Sequence, residues 1–418
     1  YPDSPYGFSS GGYPPAIPEL THEAFLNFHK KYYHPSNSYI YLYGDADMEK
    51  ELEFINDKYL SNFDKSDAVV RIDLQKPFTE IKKIVEKYPL SEDSDTEDQS
   101  YLTLNFVAGS GEDRALVMAL DVLEDVLINQ ESAPIRLALQ EAGIGREVSG
   151  GVDDIKQNLF QIMVQNANPE DADEFHRIIV ETLKEVVKNG LDKEAVEGSM
   201  NRMEFRLREG DDAQKGLTYN FQAIAGWFYA DDPFLSLEYE KPLKKVKNAL
   251  TSDYLESLIE KYMLNNNHAL LLTLRPEPGM EQKIKDAAAV ECADYKAAMS
   301  DKELEDLINS TNELVEYQKS EDTPEALATI PMLAKEDINP KAEWWQAKEK
   351  KIDDTKLLHY STFSNNVVYV NYYFDLRVLP TELIPYASLL TDVLAKLNTK
   401  NYAYGHLDKA LNIHTGGF

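Results

Sequence analysis

Histidines are the residues of this sequence that could most readily build a reactive centre, because neutral imidazole binds zinc and titrates near neutral pH. His22 and His29 lie seven residues apart on one predicted helix, and His34 follows just beyond its end. Helical zinc motifs, H-E-x-x-H or the inverted H-x-x-E-H, place their ligands one turn apart. Seven residues span about 10 Å of helix, which is too far for one ion, so we interpret these histidines as surface or packing residues. The other five histidines have no partner at ligand spacing: His176, His268, His359, His406 and His414.

Other reactive constellations are also missing from the sequence. There is no G-x-S-x-G elbow and no Walker loop, and Gly143-Ile144-Gly145 does not extend to G-x-G-x-x-G. Cys292 falls on the apolar stripe of a predicted helix without a nearby histidine, so we expect a buried, inert thiol. Residues 91–98 contain five carboxylates but lack the fixed spacing and turn glycine of a calcium loop, which indicates a solvated loop. Spacing alone therefore predicts no catalytic residue and no metal ligand, and it leaves substrate-binding residues unassigned.

Composition limits the class of protein. The chain has 418 residues, 43% of them apolar, which is enough for packed cores in about two to four domains. Lys and Arg number 43 against 73 Asp and Glu, a net charge of −30 that opposes binding to nucleic acid and to anionic membranes. A single cysteine excludes an intrachain disulfide and favours a reducing compartment. No run reaches the roughly 18 apolar residues of a membrane-spanning helix.

The first hundred residues predict a small unit that cannot bury a core alone. Thr21 is a plausible N-cap for a helix that ends at His34-Pro35, because the residue before proline leaves the helical region. Residues 38–43 are aromatic and β-branched and predict a strand, and a second helix follows over about 47–60. Residues 64–100 read as a connector.

Residues 101–274 have the pattern of one complete domain. Strands are predicted at 101–107, 146–149, 159–164 and 268–274, and long one-faced helices separate them. One of these helices begins at Asn168-Pro169 and ends at Asn189-Gly190, with both end signals in place. The order and the hairpin-like spacing predict an α+β fold with helices packed on a largely antiparallel sheet.

The pattern changes after residue 280. Two amphipathic helices with a short turn at Ser300-Asp301 predict a helical hairpin, and residues 281–325 contain 5 basic and 13 acidic residues, a local charge of −8. Strands are then predicted at 357–360 and 367–374, followed by a helix over about 381–396. The segment from Tyr369 repeats the order of the segment from Tyr101, which predicts an internal repeat.

Short motifs spread over the whole chain, each weak by itself, resemble one family in their order. They are Ser10-Gly11-Gly12-Tyr13-Pro14, Ile17-Pro18-Glu19-Leu20-Thr21, Tyr33-His34-Pro35-Ser36-Asn37-Ser38, Leu42-Tyr43-Gly44-Asp45, Ser132-Ala133-Pro134, Gly143-Ile144-Gly145, Met203-Glu204-Phe205-Arg206-Leu207-Arg208-Glu209, Arg275-Pro276, Ile330-Pro331-Met332-Leu333 and His414-Thr415-Gly416-Gly417. The ordered set is similar to presequence proteases and falcilysin, which are pitrilysin/insulysin-type zinc metallopeptidases built from four homologous domains.

The resemblance implies a domain plan and the absence of the reactive centre. Residues 1–72 would be the C-terminal part of the first metallopeptidase-like domain, 73–280 the complete second domain, 281–325 the hairpin linker and 326–418 the N-terminal part of the third. In that family an H-x-x-E-H helix and a distal glutamate bind zinc, and an Arg/Tyr pair assists. By the family's order these positions lie before Tyr1 and after Phe418, so none is carried over to this chain.

Two functions remain open. In the first, which we favour, the chain is the non-catalytic core, chamber wall and hinge, of a zinc endopeptidase that degrades short, unfolded, basic peptides such as presequences. In the second it comes from a zinc-less relative that serves as a structural or recognition subunit. Zinc is expected in the parent enzyme and none on this chain. The resemblance implies a bacterial cytoplasm or a mitochondrial or plastid matrix, and incomplete domains predict self-association through exposed apolar surface.

Overall fold

The sheet that organises the chain is seen in a computed structural model, which describes residues 1–67, 70–209, 214–342, 344, 346–394 and 396–417, and of Tyr404 the backbone alone. The chain divides into two compact units. One contains Tyr1–Tyr88, Asp95–Pro276 and Tyr369–Phe418, and the other contains Pro89–Ser94 and Glu277–Val368.

Five strands form the main sheet. They are β1 (Lys82–Leu90), β2 (Ser100–Ser110), β3 (Glu147–Asp153), β4 (Gln157–Ala167) and β5 (Ala269–Pro278), in the spatial order β1-β5-β2-β4-β3. The β2 strand pairs antiparallel with both β4 and β5, and β4 pairs antiparallel with β3. Leu104 of β2 lies opposite Ile162 on one side and Leu271 on the other. The predicted α+β class with a largely antiparallel sheet is confirmed.

Fourteen helices are found in the described residues. They are α1 (His22–Tyr32), α2 (Met48–Lys58), α3 (Arg114–Glu124), α4 (Pro134–Glu141), α5 (Ala172–Asn189), α6 (Lys193–Glu209), α7 (Lys215–Ala230), α8 (Glu240–Lys247), α9 (Tyr254–Ile259), α10 (Met280–Ala298), α11 (Asp301–Lys319), α12 (Pro324–Leu327), α13 (Ile384–Val393) and α14 (Tyr404–His414). A π-helical turn, Asp125–Asn129, continues α3. No described helix combines the length and the apolar composition needed to span a membrane.

The core of the first unit lies between the sheet and the helices α3, α5 and α9. Phe160, Leu123 and Phe175 are fully buried there. The predicted ends of α5 are confirmed: the Asp171 carboxylate accepts a hydrogen bond from the Asn168 N–H group at 3.1 Å, and Gly190 follows the helix with φ +83°. These end signals fix where α5 begins and stops, and so they set which of its faces meets the sheet.

The strand predicted at 38–43 is wrong. These residues pair with no strand of the described sheets. Their aromatic side chains contact α7 instead: the Tyr39 ring lies 4.7 Å from Trp227, and the Tyr43 ring lies 6.0 Å from Tyr219. Aromatic residues that suit a strand also suit packing against a helix, so composition alone could not separate the two.

The other corrections also concern pairing. The strand predicted at 367–374 is wrong, since these residues are extended without a partner among the described strands and Tyr373 is 91% exposed. The second copy of the predicted repeat therefore lacks its strand. Conversely, the connector assigned to 64–100 contains β1, an edge strand whose charged residues, such as Lys83 and Glu86, hid its pattern.

The second unit contains the predicted helical hairpin. Helices α10 and α11 are confirmed, with Ser300 and Glu303 forming a capping box at the start of α11. It also contains the antiparallel strands β6 (Ala347–Ile352) and β7 (Thr355–Tyr360), the latter as predicted. No described residue of α10 or α11 is buried. The expectation of a buried thiol is wrong, because Cys292 is exposed.

Candidate functional site

The histidines near the start of the chain do not form a zinc site. The His29 ring stacks on Tyr33 at 4.6 Å, and His34 Nδ1 accepts a hydrogen bond from the Ser36 N–H group at 3.1 Å. Within the part of the chain that the structure describes, no three His, Cys, Asp or Glu side chains are placed to hold a metal ion. A zinc ion therefore does not fit these residues.

Two histidines lie inside the first unit. The Nε2 atoms of His176 and His268 are buried, and neither has a hydrogen-bond partner in the described residues. Burial lowers the pKa of both side chains. The His268 ring meets Phe78 edge-on at 4.8 Å. Both act as neutral packing residues, as the sequence predicted.

A group of three carboxylates on α3 and the turn after it was missed by sequence reasoning. Asp121, Glu124 and Asp125 stand at positions i, i+3 and i+4, the spacing of the inverted zinc motif with carboxylates in place of imidazoles. The signal was the sequence D-x-x-E-D. We call these three residues the carboxylate face.

Burial dominates the electrostatics of the carboxylate face. It raises the pKa of Asp121 to about 6, with a further contribution from the negative charge of Asp154. It raises the pKa of Glu124 to about 7, assisted by the charge of Asp125. Both carboxyl groups therefore exchange protons between pH 6 and 7, where an ordinary carboxyl group is ionised.

Arginines compensate the carboxylate face. Arg202 of α6 donates to Asp125 at 2.6 Å, and Gln130 Nε2 donates to the same carboxylate at 2.9 Å. The charges of Arg206 and Arg114 oppose the rise in the Asp121 pKa. This arrangement binds the carboxylates to protein groups and joins α3 to α6. It resembles a structural ion network more than an open ligand site.

Three of the sequence motifs meet where α14 packs on α6. Asn201 Nδ2 donates to the Ile413 carbonyl at 3.0 Å, and a Cβ added at Gly416 would overlap the Phe205 ring. At the other end of α14, a Cβ at Gly405 would lie 3.6 Å from Ser132. The motifs at 132–134, 203–209 and 414–417 thus belong to one junction, which spacing along the chain could not show.

The acidic loop is more ordered than the sequence predicted. Asp98 has φ +54° and accepts hydrogen bonds from Arg146 at 2.8 Å and from Asn168 Nδ2 at 3.0 Å. The Arg146 hydrogen bond is the first of the interactions that lower the Asp98 pKa. A polar cleft of about 500 Å³ adjoins the loop. Its lining residues are Asp95, Thr96, Glu97, Asn168, Pro169, Glu170, Arg275 and Pro276.

Comparison with known families matches most of the chain. Residues 19–203 match the family described as Peptidase M16 inactive domain. Residues 274–418 match the family of regions associated with M16 peptidases of subfamily C. The carboxylate face lies within the first match.

Individual proteins match over the full chain. The "Protein HypA" of Clostridium perfringens is 45% identical over 420 residues, covering 100% of this chain and 43% of that protein. "Presequence protease 1, chloroplastic/mitochondrial" of Arabidopsis thaliana is 34% identical over 429 residues, covering 100% of this chain and 39% of that protein. A crystal structure of a peptidase M16 inactive domain from Pseudomonas fluorescens aligns with TM-score 0.49 and 20% identity over 65% of this chain and 61% of that chain. The chain spans about two fifths of the length of these curated relatives.

Proposed function

This chain belongs to the M16 peptidase family, and on that premise we propose that it is the non-catalytic core of a zinc-dependent endopeptidase. The observation that carries the proposal is the carboxylate face. Positions 121, 124 and 125 have the spacing of a zinc motif, but Asp125 is bound by Arg202, and Asp121 lies near Arg114 and Arg206. The match of residues 19–203 to an inactive peptidase domain supports this interpretation.

The role of the chain would be to form the chamber wall and hinge of the parent enzyme. We keep the domain plan as part of this proposal: residues 1–72 end the first domain, 73–280 form the second, 281–325 the linker and 326–418 open the third. Zinc would belong to the parent enzyme, on residues that this chain does not supply.

The substrates proposed are short, unfolded, basic peptides, targeting presequences among them. The net charge of −30 supports this choice, since an acidic surface attracts cationic peptides and repels nucleic acid. The relative from Arabidopsis is named for chloroplast and mitochondrion, and the one from Clostridium is bacterial. We therefore propose a bacterial cytoplasm or an organellar matrix as the compartment.

The test uses a fluorogenic cationic peptide with added zinc. The purified chain is expected to give no chelator-sensitive cleavage, whereas the full-length protein cleaves the peptide and loses that activity with chelator. Chelator-sensitive turnover by the chain alone would overturn the claim that it is non-catalytic. A full-length protein without zinc-dependent cleavage would instead support the alternative, a structural or recognition subunit.

A further inference from the structure

Helix α14 is attached to the first unit in a way that differs from the core helices. In the chain that precedes it, no described residue between 361 and 403 is buried. Within 404–417, Asn412 is the one described residue that is buried, with 8% of its surface exposed. The contact of α14 with α6 therefore holds this part of the chain without an apolar core of its own.

We propose that residues 404–417 form a separable clasp, which docks on α6 as a unit and leaves it without unfolding the helices beneath. The proposal concerns a conformational device and does not depend on the peptidase function. Three observations support it: a steric fit, a set of polar fastenings and the small amount of apolar burial just described.

The steric fit centres on a glycine. Gly198 lies on α6 under Asn412, and a Cβ at position 198 would stand 2.9 Å from the Asn412 Cβ. Real Cβ atoms essentially never come so close to a neighbour, so α14 packs at this distance only because residue 198 has no side chain. Gly416 lies against the Phe205 ring in the same way. The two glycines mark both ends of a close approach between backbones.

The fastenings are polar. Lys409 forms an ion pair with Asp192, whose carboxylate also caps α6 by accepting from the Glu194 N–H group at 3.0 Å. Asn201 holds the last turn of α14 through the Ile413 carbonyl. Asp408 lies within reach of the Arg202 charge. Segments held by few apolar contacts open at lower free energy than a packed core, so a contact of this kind can separate locally.

The test replaces Gly198 and follows amide hydrogen exchange of the full chain by mass spectrometry. Alanine favours the helix more than glycine does, so Gly198→Ala leaves α6 intact while its methyl group pushes Asn412 away. We expect amides 407–414 to exchange at least about fivefold faster, with α3 and α5 unchanged. The matched control is Gly405→Ala on α14 itself, where the added methyl makes an ordinary contact and exchange should stay as in the parent.

A second variant keeps the test decisive if Gly198→Ala folds poorly. Lys409→Met removes the ion pair with Asp192 and retains most of the side-chain volume, and it should produce the same selective loss of protection. Unchanged exchange of α14 in both variants would overturn the proposal. So would a loss of protection that spreads equally to α3 and α5, since α14 would then be part of the cooperative core.

Discussion

Arg202 on α6 donates through one nitrogen, Nη2, to both oxygens of the Asp125 carboxylate, at 2.6 and 2.5 Å. Asp125 belongs to the turn that continues α3, so this pair joins two helices that are about 77 residues apart in sequence. Both side chains are mostly buried, with 32% of Arg202 and 20% of Asp125 exposed. A partly buried, hydrogen-bonded pair contributes more to stability than one in water.

Removing Arg202 should therefore destabilise the first unit. Arg202→Ala leaves the Asp125 carboxylate with the Gln130 amide and is expected to lower the free energy of unfolding by about 1–3 kcal/mol. Urea unfolding followed by circular dichroism measures the change. The control is Arg177→Ala on the exposed face of α5, where the pairs with Glu174 and Glu181 should contribute about 0–1 kcal/mol. Equal losses in the two variants would contradict a special role for Arg202.

The raised pKa values of the carboxylate face predict a pH dependence of stability. Folding favours the protonated forms of Asp121, with a pKa of about 6, and Glu124, with a pKa of about 7. Their contribution is complete below about pH 4 and is lost as the pH rises through 6 to 7. Glu124→Gln imitates the protonated form. At pH 8 it should unfold at a higher temperature than the parent, by roughly 1 kcal/mol after allowance for partial exposure, and the difference should shrink towards pH 5.

The control for this titration is Glu185→Gln, which removes one carboxylate from the exposed face of α5. Its melting temperature should follow that of the parent at every pH. A Glu124→Gln variant that is less stable than the parent at pH 8 would show that the ionised carboxylate is the stabilising form.

Two glycines in the turn before β3 provide a matched pair. Gly143 and Gly145 both have φ +70°, but a Cβ at 145 would lie 2.8 Å from the Val164 Cβ, whereas one at 143 would meet nothing within 4 Å. Gly143→Ala should cost about 1 kcal/mol of stability from backbone strain alone. Gly145→Ala adds the steric conflict and should cost about 2–4 kcal/mol, measured by urea unfolding. Equal costs would mean that β4 yields without penalty.

The exposed position of Cys292 predicts ready chemical modification. In the folded chain without denaturant, a maleimide reagent should label one thiol per chain, and Cys292→Ser should remove the labelling. Mass spectrometry gives the stoichiometry. Labelling that requires denaturant would indicate that the apolar side of α10 is covered in solution.

Local signals predicted the ends and types of most helices and central strands. Asn168 and Gly190 mark α5, Ser300 marks α11, and the apolar run at 268–274 marks β5, because capping and burial on both faces depend on nearby residues alone. Strands at the margins could not be predicted in this way. Residues 38–43 and β1 were exchanged, since a strand exists only where a neighbour pairs with it.

The sequence by itself determined the α+β class, the helical hairpin, the acidic charge and, through its ordered motifs, the family. These properties depend on composition, periodicity and order, which are all readable along one chain. The tertiary structure decided the rest: that Asp121, Glu124 and Asp125 meet arginines from distant residues, and that Gly198 admits Asn412. Contacts between residues remote in sequence, and the pKa shifts that burial causes, arise only when the chain folds and removes those groups from water.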